Sequence, residues 1–321
     1  TLYMYYSSST YNFINGNTNF QYLTFNGNGG QAYLYAQGHN LTMGKGIYME
    51  NYASANTNQG LITGSAPAFH VLGGYLQYNR TSLPRNNGKV VIKSGAYGRV
   101  LGGGGSGTSD GAGQTTSHDF TGSNLTDDMY TASIFIDIQE STKGSYTYDI
   151  NLVVGGATAG NMYANITIDV KNGSVGRLLG GSIGDRVSLN NWRYPENTFL
   201  GYTTINLTGG TVQELYGGSL GRNMSALSGS GTSRNLICDI YHYGTININI
   251  SSAAVVNSNI YGAGAGGVTG YHENSTDTYK DYGKDIQTTV NINITGGTIN
   301  GNVYGGGYGY TEYLTEAVTA D

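Results

Sequence analysis

The chain has 321 residues and a formal net charge of −5; 53 residues are Gly, 29 are Tyr, 3 are Pro, and charged residues make up only 11%. That balance excludes a coiled coil or helical bundle, which needs abundant Glu, Lys, Leu and Ala. It excludes collagen, which needs Gly at every third position with Pro, and ordinary disordered chains, which are charge-rich and aromatic-poor. It also excludes a phosphate-binding basic surface and so nucleic acid as a partner, leaving an all-β, turn-rich and repetitive protein.

Taken in chain order, residues 20–25 and 31–35 alternate like strands, and Val71-Leu72-Gly73-Gly74 forms the first Gly-Gly strand ending. From residue 90 a repeat emerges. Residues 90–103 align without gaps on 168–181, and a third copy occupies 205–218. The fourth copy joins Ile248-Asn249-Ile250 to Ile260-Tyr261-Gly262, two residues longer in the middle. The fifth joins Ile292-Asn293-Ile294-Thr295-Gly296-Gly297 to Val303-Tyr304-Gly305-Gly306, one residue longer. The anchors Leu101, Leu179, Tyr216, Tyr261 and Tyr304 lie 78, 37, 45 and 43 residues apart. The first interval is close to two periods, so a degenerate copy is expected inside it, with residues 149–156 as part of it.

Each copy reads as two short strands. The first alternates apolar and polar residues, the mark of one buried and one exposed face. A Gly-Gly pair then turns the chain, because glycine accepts positive φ without a Cβ clash. No helix-length amphipathic stretch intervenes, so a βαβ sheet is unsupported. Short strands at glycine corners, repeated at about 20–45 residues, suit a β-solenoid. We expect a right-handed parallel β-helix, with a β-propeller as the alternative fold. Residues 1–321 form one domain: 1–87 are degenerate N-terminal coils, 88–310 the regular repeats, and 311–321 a partial cap or linker. Ile205, Ile248 and Ile292 should then stack inside, with Asn206, Asn249 and Asn293 forming an amide ladder outside.

The long segments of variable length follow the second Gly-Gly of each copy. In a solenoid they leave from one corner and stack into a wall. They carry Trp192, Tyr194 and Phe199; Tyr241, His242 and Tyr243; and Tyr271, His272, Tyr279 and Tyr282. Aromatics with a polar edge suit sugar faces and protein surfaces, and equally suit packing back on the solenoid. We take Trp192, Tyr194, Tyr241, His242, Tyr243, Tyr271, Tyr279 and Tyr282 as the candidate ligand-binding residues. Of the Asn-x-Ser/Thr triplets, those at Asn79, Asn223 and Asn274 fall in loops and are the glycosylation candidates.

Other chemistry finds little support. Glycoside cleavage needs two nearby carboxylates, yet the strand position of Asp169 holds Asn206, Asn249 and Asn293 in the later copies. The five histidines, His39, His70, His118, His242 and His272, share no motif spacing. Asp277, Asp281 and Asp285 lack the closer alternation and turn glycine of a calcium loop. Cys238 is alone, so no internal disulfide or zinc site follows. No run of 18 apolar residues exists to span a bilayer as a helix. No catalytic residue, metal or cofactor is assigned.

One pattern is familiar. Gly296-Gly297-Thr298-Ile299-Asn300-Gly301-Asn302-Val303-Tyr304-Gly305-Gly306-Gly307 resembles the repeat of large bacterial cell-surface proteins. The resemblance covers the repeat cores between about 88 and 310. It implies an adhesin-like or structural surface protein and transfers no catalytic motif. The expected function is therefore a non-enzymatic, extracellular or cell-surface structural or adhesin protein, any signal segment having been removed. Its partners would be itself, in a fibre or sheath, or surface glycans and proteins. The alternative is a β-helix enzyme that binds or degrades carbohydrate.

Overall fold

The computed structural model describes residues 1–4, 12–54, 65–74, 88–104, 133–140, 144–156, 162–183, 197–200, 202–220, 222–224, 236–238, 240–265, 268–269 and 288–308. The first strands of the coils form an eight-stranded sheet. In chain order they are Thr18–Phe20, Leu41–Met43, Lys89–Ile92, Ser133–Ile138, Asn165–Val170, Thr203–Leu207, Thr245–Ile250 and Thr289–Ile294. The second strands form an eleven-stranded sheet. They run from Asn12–Phe13, Ala32–Tyr35, Phe69–Leu72, Tyr97–Leu101, Ile150–Val154, Ser174–Leu179 and Thr211–Tyr216 to two broken coils, Val255–Val256 with Ile260–Tyr261 and Thr298–Ile299 with Val303–Tyr304. Every pairing in both sheets is parallel and joins one coil to the next. Continuous parallel sheets of this length make a parallel β-helix and leave no place for the antiparallel blades of a propeller. At about 4.8 Å per strand, the nine positions of the longer sheet build a rod about 40 Å long.

The expected columns are present. Val90, Ile136, Ile168, Ile205, Ile248 and Ile292 pair in direct register, and the first five are at most 1% exposed. Ile292 is half-buried because it lies in the last described coil. Opposite them stand Leu34, Val71, Val100, Val153, Leu178, Leu215 and Ile260, all buried in the same core. The copy expected between Leu101 and Leu179 is there. Residues 149–156 hold its second strand, and its first strand, Ser133–Ile138, pairs with Lys89–Ile92 and Asn165–Val170. The alternating run at 20–25 is not one strand. It is two strands, Thr18–Phe20 and Thr24–Asn26, around a corner where Tyr22 takes φ 50°. That corner adds a third wall to the first coils, a small parallel sheet of Leu2–Tyr3, Thr24–Asn26 and Tyr48–Glu50.

The two Gly-Gly pairs serve different constraints. At the first corner Gly173, Gly210 and Gly297 have φ between 72° and 87°, and Ser252 takes φ 55° at that corner of the fourth copy. At the second, Gly73, Gly102, Gly155, Gly180, Gly217 and Gly262 form a column in which the limit is space. A Cβ on any of them would strike the carbonyl oxygen of the glycine one coil further on. Ile248→Ala should therefore cost about 2–5 kcal/mol through lost burial and a residual cavity, and Ile294→Ala, at 44% exposure, markedly less. Gly180→Ala should cost about 1–3 kcal/mol by overpacking against Gly217. Urea unfolding monitored by circular dichroism measures all three.

Candidate functional site

The outward face of the eleven-stranded sheet is where the insertions leave the rod. Along it, Phe13, Tyr35, Leu72, Leu101, Val154, Leu179, Tyr216, Tyr261 and Tyr304 occupy successive coils of one column. Much of this column packs with Ile183, Leu220 and Ala265 into a second apolar cluster, separate from the core inside the coils. The sheet is thus apolar on both faces. The sequence carries that signal in the consecutive pairs Val100-Leu101, Val153-Val154, Leu178-Leu179 and Leu215-Tyr216, since a strand without alternation is one buried on both sides. Just past the glycine column, Ile183, Leu220, Ala265 and Tyr308 form parallel bridges from coil to coil. The insertions therefore depart from one corner, as their sequence position requires.

At the C-terminal end of the column the aromatic rings stack on one another. Tyr216 and Tyr261 lie 5.2 Å apart at 8°, and Tyr261 and Tyr304 lie 5.1 Å apart at 10°. Tyr308 meets Tyr261 edge-on at 5.3 Å. A ring sandwiched in this way offers its edge outward, so within this stack Tyr304, the terminal ring, is the one that leaves a face for a sugar.

A four-stranded parallel sheet lies at the roots of the insertions: Met162–Tyr163, Asn197–Leu200 and Ile240–Tyr243 come just before the first strands of the following coils, and Val268–Thr269 just after Ala265. This brings three of the candidate binding residues onto one strand. Tyr241, His242 and Tyr243 pair with Thr198, Phe199 and Leu200, and Tyr241 and His242 pair on the other side with Val268 and Thr269. The candidates Trp192, Tyr194, Tyr271, Tyr279 and Tyr282 lie outside the described residues, as do Asn79, Asn274 and the acidic run around Asp281. Asn223 falls on the strand Arg222–Met224, antiparallel to Leu236–Cys238.

The outward face of the eight-stranded sheet is ordered by hydrogen bonds between coils. Asn293 Nδ2 donates to Asn249 Oδ1 at 3.0 Å, Asn249 Nδ2 to Asn206 Oδ1 at 2.9 Å, and Asn206 Nδ2 to Asp169 Oδ1 at 2.8 Å. Asn291 donates likewise to Asn247, and on the other sheet Asn300 donates to Asn257 and Asn257 to Gln213. Each of these amide bonds runs from one coil to the preceding coil. The ladder continues into a second acid that sequence comparison of the copies did not reveal: Asp137 sits directly beside Asp169. Two neighbouring carboxylates repel, and lysines neutralise them. Lys171 Nζ lies 2.7 Å from Asp137 and 3.6 Å from Asp169, and Lys89 Nζ lies 3.5 Å from Asp137. Burial raises the Asp137 pKa, but the hydrogen bonds from Lys171 and Gln139 and the charges of Lys171 and Lys89 outweigh it and hold the carboxyl below its ordinary value. Arg177 and Glu214, adjacent in register, make a second ion pair at 2.7 Å.

One polar pair is fully enclosed. His70 is 1% exposed and Arg99, its register partner on the next coil, 4%. The Tyr33 ring packs on His70 at 4.7 Å from the preceding coil. Burial, and then the Arg99 charge, push the His70 pKa well below its ordinary value, so the imidazole is neutral.

Among the described residues no group of three or more His, Cys, Asp and Glu is placed to hold a metal, and no helix is long and apolar enough to cross a membrane. No family model, curated protein or solved structure matches the chain.

Among the described residues, His70 and Asp137 contribute to the acid response. His70 binds a proton near pH 6.5 when unfolded and only well below that when folded, so stability should fall as pH drops below about 6.5, by up to about 1.4 kcal/mol per pH unit. Asp137 has the folded pKa depressed from 3.8; its contribution is present above that value and is lost as pH falls further. Urea midpoints between pH 8 and 3 should decline in these two windows. His70→Gln should flatten the first and Asp137→Asn the second.

Proposed function

We propose that this chain is a non-enzymatic, extracellular surface protein of structural or adhesive role, a stiff β-helical rod that presents a wall of loops. One observation carries the reading. From Asp169 to Asn293 and from Tyr216 to Tyr304, outward-facing amides, a carboxylate and rings bond or stack on one another, coil to coil, in ladders that stiffen the rod. The low charge and the Tyr, Asn and Gly richness of the chain agree with a role outside the cell. So does the resemblance of the repeat to those of bacterial cell-surface proteins. In this reading the loop aromatics, with Tyr241, His242 and Tyr243 at their base, meet glycans or proteins of a neighbouring surface.

The competing reading, cleavage of a polysaccharide on the β-helix, needs a carboxyl with a raised pKa beside a second carboxylate. Asp137 and Asp169 are adjacent, but Lys171 bridges them and Asp137 is shifted the opposite way. The test is a panel of polysaccharides and glycoproteins incubated with the full chain, read by reducing-end release and by retention on immobilised ligand. Retention without release is expected. Release of reducing ends, abolished by Asp137→Asn, would overturn the proposal.

A further inference from the structure

The outward face of the eight-stranded sheet carries polar groups that the ladders do not use up. Thr204, Asn247 and Asn291 form one outward column, and Asn206, Asn249 and Asn293 the next. A primary amide has two N–H groups and two carbonyl lone pairs. Asn206 and Asn249 each donate one N–H to the preceding coil and accept one bond from the following coil. Among the described residues, one N–H and one lone pair of each are left over. The face therefore repeats a donor beside an acceptor at the strand spacing of about 4.8 Å.

Charge and size narrow what this face fits. Residues 202–208, 245–251 and 289–295 contain no Lys, Arg, Asp or Glu, so the face gives no purchase to an acidic polymer, which needs cations to pair with. Four coils by four outward positions span about 20 Å by 20 Å, roughly 400 Å². A stable protein interface takes about 800 Å² from each partner, so a second copy gains too little here. A narrow, uncharged chain of hydroxyls fits, because a hydroxyl is donor and acceptor at once, as each ladder amide is. Tyr202 stands on the same face, two positions before Thr204, and is 56% exposed. Its backbone does the structural work: its N–H donates to Asn165 Oδ1 at 3.1 Å and its carbonyl accepts from the Ile166 N–H at 2.7 Å. The ring is left to offer an apolar surface with a polar tip, which suits the face of a sugar.

We propose that this face binds an extended, uncharged, β-linked polysaccharide, laid along the rod with successive sugars over successive coils. This rests on the adhesive reading above and names its ligand class and its site. A ribbon-like β-linked chain advances in a straight row, as the ladders do, and at a similar step; a coiled α-linked glucan does not. Tyr202 stacks on one sugar, and Asn206, Asn247 and Asn249 take hydroxyls of that sugar and its neighbours. Each such bond replaces one to water and contributes little alone, so affinity accumulates along the chain.

Titration calorimetry of the full chain with the series from cellobiose to cellohexaose tests this. Affinity should rise with length up to about four sugars, one for each coil of the face, and should not fall with added salt. Maltohexaose should bind markedly more weakly. Tyr202→Ala should leave the circular dichroism spectrum and melting temperature unchanged and weaken cellohexaose binding about fivefold. In isotope-labelled protein the side-chain amide resonances of Asn206, Asn247 and Asn249 should shift on adding cellohexaose. No binding of cellohexaose at millimolar concentration, wild-type affinity in Tyr202→Ala, or equal binding of maltohexaose would each overturn this proposal. Glycan retained at full strength by Tyr202→Ala would move adhesion to the loop wall and leave the adhesive reading standing. Reducing-end release, read separately, refutes the non-enzymatic reading whether or not this face binds.

Discussion

In a parallel β-helix each residue sits directly above and below its counterparts, about 4.8 Å away, because the backbone hydrogen bonds between coils allow no other spacing. The rest of the structure follows from that constraint. A side chain must be compatible with a copy of its own kind at van der Waals distance. Isoleucine and valine meet it by packing, as in the column from Val90 to Ile292. Asparagine meets it because an amide is donor and acceptor at once, so Asn206, Asn249 and Asn293 can bond in series. Tyrosine meets it by ring stacking, since 5.1–5.2 Å between rings is close to the strand spacing. A carboxylate fails the test, and where Asp137 and Asp169 coincide the chain supplies Lys171 and Lys89. Glycine is required where the backbone of the next coil itself occupies the Cβ position.

The same constraint explains what could be read in the sequence. Stacking selects like residues at like positions, so the coils from residue 88 onward announce themselves as repeats, and the first-strand register follows from alternation. Where stacking is satisfied by different residues the signal fades. Ser133–Ile138 escapes notice because Phe135 stands where its neighbours have Lys89 and Thr167, and its distance from them in sequence departs from the period. The corner at Tyr22 reads as strand because a non-glycine residue holds positive φ there. The second role of glycine is invisible in one dimension, since a turn and a close approach leave the same Gly-Gly. The second apolar cluster was legible in principle, in consecutive apolar residues such as Leu178-Leu179, but alternation in the first strands dominates the pattern.

The candidate site was legible in its placement more than in its chemistry. Insertion after the second Gly-Gly places the loops at one corner, and the bridges from Ile183 to Tyr308 and the sheet containing Tyr241, His242 and Tyr243 realise that placement. The polar groups that the fold encloses, His70 with Arg99, had no sequence signature, because their partners come from other coils and share no motif spacing.

The central claim is the register itself. It is tested most directly by methyl–methyl nuclear Overhauser contacts in a sample labelled at isoleucine. This register predicts a continuous series of contacts, Ile136 to Ile168 to Ile205 to Ile248 to Ile292, flanked by the parallel rungs Ile92 to Ile138, Ile134 to Ile166 and Ile250 to Ile294. Contacts that skip a coil, or the absence of the Ile205 to Ile248 contact in a folded sample, would contradict it.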